Sequence, residues 1–396
     1  MDLKIKANHF IIFAVIITIG FNILEFAKII NYQSVPMYIT YIFMLIPIIA
    51  GFIAIIILSL KRKIQFTYLK ELLSGLLIFL LFLSMSLIKS KNVGQFTFSS
   101  LGESVRIVVP FCYCFLSVNF LSRKNIDFLM KLALISSWFA FVVDLFSQNI
   151  DLASIIKISF VNSYSPFENS EVAGLAFALT TYFIYFFKDN KFFSFFSVLL
   201  TFLCFKRVYV IGTILLIVCK LILKNNSIKI TEKVSNVLAT IGTIVIYFAT
   251  KAYLFIMMPQ NQMWTYEKLH LNIGDFSMGR SYRVAFLLNN NFISYGLGSS
   301  SQFLNTTFGS VYTISTLELD LIKIFLELGS IALIVFIFVY YNLSKRNAYS
   351  YLVMTISLLN LLMASGLTNY IEWYVILLTI DLIQCRRSDN IMTETR

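Results

Sequence analysis

The sequence predicts an all-α fold: a polytopic integral membrane protein with about twelve transmembrane helices in a single transmembrane domain, residues 1–396. Two observations predict it. Hydrophobic residues make up 58% of the chain and charged residues only 13%, with a mean hydropathy of +0.81, unlike a soluble globular domain. The apolar residues also fall in consecutive runs near the length of about 20 residues that crosses a bilayer. A lipid bilayer is therefore the expected solvent.

Reading along the chain, each run of apolar residues gives one predicted span. We place the spans at residues 10–30, 37–60, 72–88, 105–121, 128–146, 172–187, 192–205, 208–223, 234–257, 320–341, 349–367 and 370–384. The sixth to eighth spans are short or closely spaced, which suits a tilted or re-entrant helix among them. The first run lacks a convincing cleavage site, so it is expected to remain as an anchor. Residues 258–319, the longest polar stretch, are predicted to form one long loop between the ninth and tenth spans.

The distribution of Lys and Arg orients these spans, because cytoplasmic loops carry an excess of both. With both termini in the cytoplasm, one set of alternate loops holds Lys4, Lys6, Lys61, Arg62, Lys63, Arg123, Lys124, Lys188, Lys191, Lys224, Lys233, Lys345, Arg346, Arg386 and Arg387. This topology accounts for the net charge of +12, and no nucleic-acid-binding motif accompanies it, so no nucleic acid partner is expected. The longer polar loops, 89–104, 147–171 and 258–319, then lie on the outer side.

The long predicted loop carries an arginine pair followed by a glycine-rich turn. Arg280 and Arg283 come before Gly296 and Gly298. A guanidinium group forks onto phosphate oxygens, and glycines let backbone amides approach an anion closely. This pattern favours phosphate binding. The alternative is that the arginines face lipid headgroups and the glycines form an ordinary turn.

Arg207 is a further candidate, since with Lys206 it lies between the seventh and eighth spans at their predicted outer end. Cations there depart from the positive-inside trend. A charged residue at the bilayer centre costs about 2.5–3.5 kcal/mol on insertion scales, so buried ones usually face a partner or a polar cavity. The alternative is that Arg207 snorkels to the outer headgroups.

Three carboxylates, Glu318, Asp320 and Glu327, lie at the predicted start of the tenth span. A spacing of seven places Asp320 and Glu327 on one helical face. They are candidates for a general base or for partners of the arginines. A helix start stabilised by negative charge explains Glu318 and Asp320 equally well, but it does not explain Glu327.

No metal site and no cofactor site is expected. His270 has no second histidine nearby, and the outer loops show no cluster of Asp, Glu and His with ligand spacing. The five cysteines lack the spacing of a zinc site or a disulfide framework, so we interpret them as small packing residues.

Taken in order, these motifs resemble the O-antigen polymerase and ligase superfamily, most closely the Wzy-type polymerases of bacterial surface polysaccharides. The residues that carry the resemblance are Phe167-Glu168-Asn169, Lys206-Arg207 with Gly212, Gly279-Arg280 with Tyr295-Gly296-Leu297-Gly298, and the segment from Glu318 to Gly329. They lie in the second half of the chain. The first half is similar only in being hydrophobic.

The resemblance implies a GT-C-like fold and an inverting, metal-independent glycosyltransferase at the outer face of the bacterial cytoplasmic (inner) membrane. Its substrate would be an undecaprenyl-diphosphate-linked oligosaccharide, and a chain-length regulator protein is an implied partner. The implied catalytic residues are Arg280, Arg207, Glu318 and Asp320, and the implied substrate-binding residues are Arg283, Gly296, Gly298, Glu168, Asn169 and Glu327.

Two other functions stay open. Ligases of the same superfamily resemble this pattern but carry a histidine where Glu318 stands, which favours a polymerase. A flippase or permease for lipid-linked sugars would have the same composition. It would not require the arginines and glycines of residues 258–319, and it would more often show repeated halves, which this sequence lacks.

Overall fold

The computed structural model describes residues 2–29, 37–61, 66–95, 98–147, 172–223, 230–308, 316–344 and 347–393. Within these ranges every regular element is helical, in agreement with the predicted all-α fold. The α-helices are α1 (Asp2–Phe26), α2 (Met37–Lys61), α3 (Leu69–Val93), α4 (Phe98–Phe120), α5 (Arg123–Ser147), α6 (Ala173–Tyr185), α7 (Lys191–Leu203), α8 (Arg207–Leu223), α9 (Glu232–Met257), α10 (Gln262–Leu269), α11 (Ile273–Phe276), α12 (Arg280–Asn289), α13 (Ser299–Phe308), α14 (Asp320–Leu328), α15 (Ser330–Leu343), α16 (Ala348–Met363) and α17 (Tyr370–Thr393).

Several helices have the length and composition of membrane spans. Six long apolar segments qualify: Asn8–Phe26, Ile39–Ile57, Leu69–Val93, Ser100–Phe120, Arg123–Ser147 and Glu232–Met257. Helices α6, α7, α15 and α16 are apolar but shorter. Large apolar side chains point outward on the long helices; Leu80 of α3 is 61% exposed and Phe248 of α9 is 62% exposed. Such surfaces suit a lipid solvent. The larger number of about twelve spans stays a prediction.

Helices α6 and α17 form the centre of the bundle. The side chains of α6 from Ala173 to Ile184 are buried, as are those of α17 from Tyr370 to Ile380. Helix α17 packs against α4 and α6. The indole of Trp373 in α17 meets the ring of Tyr340 edge-on at a centroid distance of 4.8 Å. A helix buried on all sides belongs to the core, and the apolar composition of α6 on all of its faces matches that position.

The predicted loop at residues 89–104 is wrong, because α3 continues to Val93 and α4 begins at Phe98. Lysines in the last turn of a helix interact favourably with its dipole, so Lys91 does not end α3. The helix ends at Gly94, whose φ of +72° suits glycine and whose amide donates to the Ser90 carbonyl at 2.8 Å. In this part of the chain, apolar content therefore marked the middle of α3 and α4 but not the ends that face each other.

The predicted tenth span, residues 320–341, is also wrong as one helix, since it consists of α14 and α15. They meet at Gly329, which has φ +97° and ψ 178°, a region almost restricted to glycine. The amide of Gly329 still donates to the carbonyls of Ile324 and Phe325, at 3.2 and 3.0 Å. The chain thus ends one helix and starts another without leaving the bundle.

The long predicted loop, residues 258–319, contains regular structure. Its described part holds the 3₁₀ turn Pro259–Asn261 and helices α10 to α13. We call one end of the bundle the loop end: α9 ends there at Met257, and α8, α14 and α17 begin there. Glu168 and Asn169, in the predicted loop at 147–171, lie outside the described residues.

Candidate functional site

Arg280 and Arg283 of α12 converge on the carboxylate of Glu318. The chain enters α12 through Met278 and Gly279, which have φ of +53° and +79°, and Arg280 is the first helical residue. The Arg280 Nε lies 3.2 Å from Glu318 Oε2, and the Arg283 Nη1 lies 3.3 Å from Glu318 Oε1. We call these three residues the arginine clasp. The predicted pairing of these arginines with a carboxylate is therefore present.

The clasp is anchored by backbone carbonyls. Arg283 Nη1 donates to the Thr316 carbonyl at 2.7 Å, and Arg280 Nη1 reaches the Ser277 carbonyl at 3.5 Å. The arginine side chains are 16% and 14% exposed, whereas the Glu318 side chain is 32% exposed. The carboxylate is therefore the more accessible side of the ion pairs.

Arg207 lies beside this clasp at the start of α8. Its Nη2 donates to the Phe276 carbonyl at 2.9 Å, and its guanidinium lies 5.0 Å from the centroid of the Phe276 ring. The Arg280 guanidinium reaches the carbonyl of the next residue, Ser277. Three predicted arginines therefore gather at the loop end, where they create a positive potential suited to an anion.

Asp320, predicted as catalytic, makes structural contacts. Its Oδ2 accepts hydrogen bonds from the backbone amides of Gly366 and Leu367, both at 2.7 Å, and the residue is buried. These bonds hold the connection between α16 and α17 against the first turn of α14. Asp320 is thus near the clasp in sequence, but its oxygen is engaged by the backbone.

The glycine-rich turn does bring backbone amides to an anion, and that anion is Glu327. Its carboxylate accepts from the Gly298 amide at 2.6 Å, the Ser300 amide at 2.8 Å and the Ser300 hydroxyl at 2.5 Å. Glu327 is fully buried. A carboxylate with several such donors is stabilised in its position. The predicted substrate role of Glu327 and Gly298 stays a prediction, but these groups are already paired with each other.

Gly296 lies where a side chain has no space. Its φ is +127°, and an added Cβ would lie 2.8 Å from the Ser86 Cβ and 3.1 Å from the Ser86 Cα. The next residue, Leu297, accepts from the Ser100 hydroxyl at 2.6 Å through its carbonyl, and its amide donates to the Ser86 hydroxyl at 3.0 Å. The turn is therefore docked between α3 and α4, and Gly296 is needed for this close approach.

Tyr295 opens the same turn. Burial raises the pKa of its phenol, and the negative charge of Glu327 raises that pKa further.

Two buried polar pairs escaped the sequence analysis. The Lys323 ammonium contacts both carboxylate oxygens of Glu103, at 2.8 and 2.6 Å, and joins α14 to α4. The Tyr209 hydroxyl donates to Glu372 Oε1 at 2.6 Å and joins α8 to α17. Lys323 and Glu372 were detectable in principle, because ionisable residues within predicted apolar spans are rare and usually mark a partner or a function.

The described ranges contain no group of three or more His, Cys, Asp or Glu side chains that would hold a metal ion. The charged groups that the structure brings together at the loop end are arginines and a carboxylate. Guanidinium groups bind phosphate oxygens, and a nearby carboxylate can accept a proton. Comparison with protein-family models, with curated proteins and with solved structures gives no match to this chain.

Proposed function

We propose that this protein is a surface-polysaccharide (O-antigen) polymerase at the outer face of the bacterial cytoplasmic membrane. It transfers the growing glycan from undecaprenyl diphosphate to the non-reducing end of a new lipid-linked repeat unit. One observation carries the proposal: Arg207, Arg280 and Arg283 gather with a carboxylate at one end of an apolar helical bundle. The resemblance of the surrounding motifs to Wzy-type polymerases supports the same function.

The chemistry follows from a diphosphate leaving group. The acceptor hydroxyl oxygen attacks the anomeric carbon of the donor, a new C–O bond forms, and the C–O bond to the diphosphate breaks with inversion. The bond electrons leave with the diphosphate, whose growing negative charge fixed guanidinium groups stabilise. The hydroxyl proton passes to a carboxylate. Glu318, whose side chain is 32% exposed, suits this role better than Asp320, which is buried and whose Oδ2 accepts from two backbone amides.

The proposal is tested by the polysaccharide ladder of cells that carry Arg280→Ala or Arg207→Ala, with membrane levels of each variant measured. Charge-assisted hydrogen bonds contribute about 1.5–3 kcal/mol each, so we expect transfer to slow roughly ten- to a hundredfold or more. Single repeats should replace the ladder. The matched control is Lys268→Ala, which removes an exposed cation of α10 in the same segment and should leave the ladder intact.

Lysine variants separate phosphate recognition from headgroup anchoring. Lysine keeps the charge but loses the fork, so Arg280→Lys should restore activity only partly. Full activity in the lysine variants of Arg280 and Arg207 would favour headgroup anchors instead, and normal ladders in well-expressed alanine variants would exclude both arginines from the reaction.

Gene deletion and a chelator test the rest of the proposal. Deletion should leave single repeats at the surface, whereas loss of a ligase strands polymer on its carrier and loss of a flippase keeps units inside. Transfer in isolated membranes should continue with EDTA. Activity that disappears with EDTA and returns with magnesium or manganese would contradict a metal-independent mechanism.

A further inference from the structure

The two arginines of the clasp are held close together by an anion. Arg280 and Arg283 are three residues apart on α12 and share one face of the helix. Like charges at that spacing repel, and the positive end of the helix dipole does nothing to offset them. In the structure the compensating charge is the Glu318 carboxylate, whose two oxygens each contact one arginine.

Glu318 differs from the other carboxylates of the site in how it is held. Asp320 and Glu327 are buried and accept hydrogen bonds from backbone amides. Glu318 is about one-third exposed, and its polar partners among the described residues are the two arginines. Because the Glu318 side chain is 32% exposed, water screens these ion pairs more than it would screen a fully buried pair. A stronger anion that reaches the clasp can therefore replace this carboxylate.

We propose that Glu318 is an internal stand-in for the diphosphate of the lipid-linked donor, and that donor binding displaces it from the arginines. The inference rests on the proposed function. A diphosphate offers more charge and more oxygens than one carboxylate, and both guanidinium groups fit it bidentately. The exchange also frees Glu318 beside the donor, where it accepts the proton of the attacking hydroxyl. Without a donor, the arginines hold this base in a paired state.

Removing the competing carboxylate should tighten diphosphate binding while it abolishes transfer. The probe is farnesyl diphosphate, titrated into the purified full chain in detergent. Glu318→Gln should bind it about three- to tenfold more tightly than the unmodified protein, the change expected when two partly exposed ion pairs no longer compete. Arg280→Ala should bind it more weakly. The matched control, Glu267→Gln, neutralises an exposed carboxylate of α10 and should leave the affinity unchanged.

Unchanged or weaker binding by well-folded Glu318→Gln would overturn the inference. So would an equal gain in Glu267→Gln, because that result would reflect net charge alone. If these results accompany a lost ladder in Arg280→Ala, the proposed function stands and only the stand-in role of Glu318 fails.

A measurement on the unmodified protein keeps the test decisive if Glu318→Gln does not fold. Farnesyl diphosphate should speed amide hydrogen exchange in residues 316–319, because Glu318 is released from the arginines. It should slow exchange in α12, because the arginines of α12 then bind the diphosphate. Inorganic pyrophosphate should produce the same pattern at higher concentration, and phosphatidylglycerol should not. Slower exchange in both segments, or the same pattern with phosphatidylglycerol, would contradict displacement by a diphosphate.

Discussion

Glu327 is a fully buried carboxylate that connects α14 to the glycine-rich turn through three hydrogen bonds. The glycine-rich turn was predicted to present backbone amides to an anion, and the amides of Gly298 and Ser300 do donate to a carboxylate. The spacing of the glycines predicts that this turn can bind an anion, but it does not identify the anion. Glu327 is 29 residues from Gly298 along the chain, and only the packing of α14 brings them together.

Replacing Glu327 with alanine should destabilise the protein strongly. The change removes three hydrogen bonds and leaves two amides and one hydroxyl buried without their acceptor. Each unsatisfied buried group costs about 1–3 kcal/mol, so we expect a loss of roughly 2–5 kcal/mol after relaxation. The measurement is the melting temperature of the purified protein in one detergent.

Glu267→Ala is the control for this loss, since Glu267 is exposed and should show almost no change. An unaltered melting temperature in Glu327→Ala would mean that the turn does not depend on this carboxylate.

At the scale of elements, the middle of each long helix was predictable and several ends were not. Apolar composition located α3 and α4, but both continue into polar sequence at the loop end. Glu103, which lies inside α4, was therefore assigned to a loop. The end of a helix depends on caps and dihedral angles such as those of Gly94, which hydropathy does not report.

The break between α14 and α15 gives a prediction about backbone conformation alone. An added Cβ at Gly329 meets nothing within 4 Å, so the penalty of Gly329→Ala comes from its φ of +97°. We expect Gly329→Ala to lower the free energy of unfolding by about 1–3 kcal/mol. Gly296→Ala should lower the free energy of unfolding by about 1–3 kcal/mol more than Gly329→Ala does, because its Cβ would also overlap Ser86.

The control for both glycine variants is Gly20→Ala. Gly20 lies inside α1 with open space around it, so alanine should stabilise the helix by about 0.5–1 kcal/mol. Melting temperatures of the three variants test the order. Equal decreases in melting temperature for Gly296→Ala and Gly329→Ala would show that the structure relieves the overlap with Ser86 at no cost in stability.

For the whole molecule, composition alone predicted an all-helical protein with lipid-facing apolar surfaces. It did not predict which runs cross the bilayer independently, because helices such as α6 and α15 are shorter than a full span. Their depth depends on neighbouring helices, which a sequence window does not contain. The gathering of Arg207 with α11 and α12 depends likewise on tertiary packing.

The orientation of the molecule is open to direct measurement. Reporter fusions after Lys124, Lys191 and Lys233 should report the cytoplasm, and fusions near Gln262 and Ser300 should report the outer side, because Lys and Arg resist translocation. Expression of every fusion is checked by blotting. A cytoplasmic signal near Ser300 would contradict the proposed polymerase, since its substrates lie outside.

The ion pair between Glu103 and Lys323 has a consequence for biogenesis. The two residues are 220 positions apart, so α4 enters the translocon long before α14 has been synthesised. Glu103 lies in the second turn of α4, near one end of the apolar segment Ser100–Phe120, and its side chain is 22% exposed. Until Lys323 has been synthesised, Glu103 lacks the partner that it has in the folded protein. Insertion of the early helices and their final packing are therefore separate events in time.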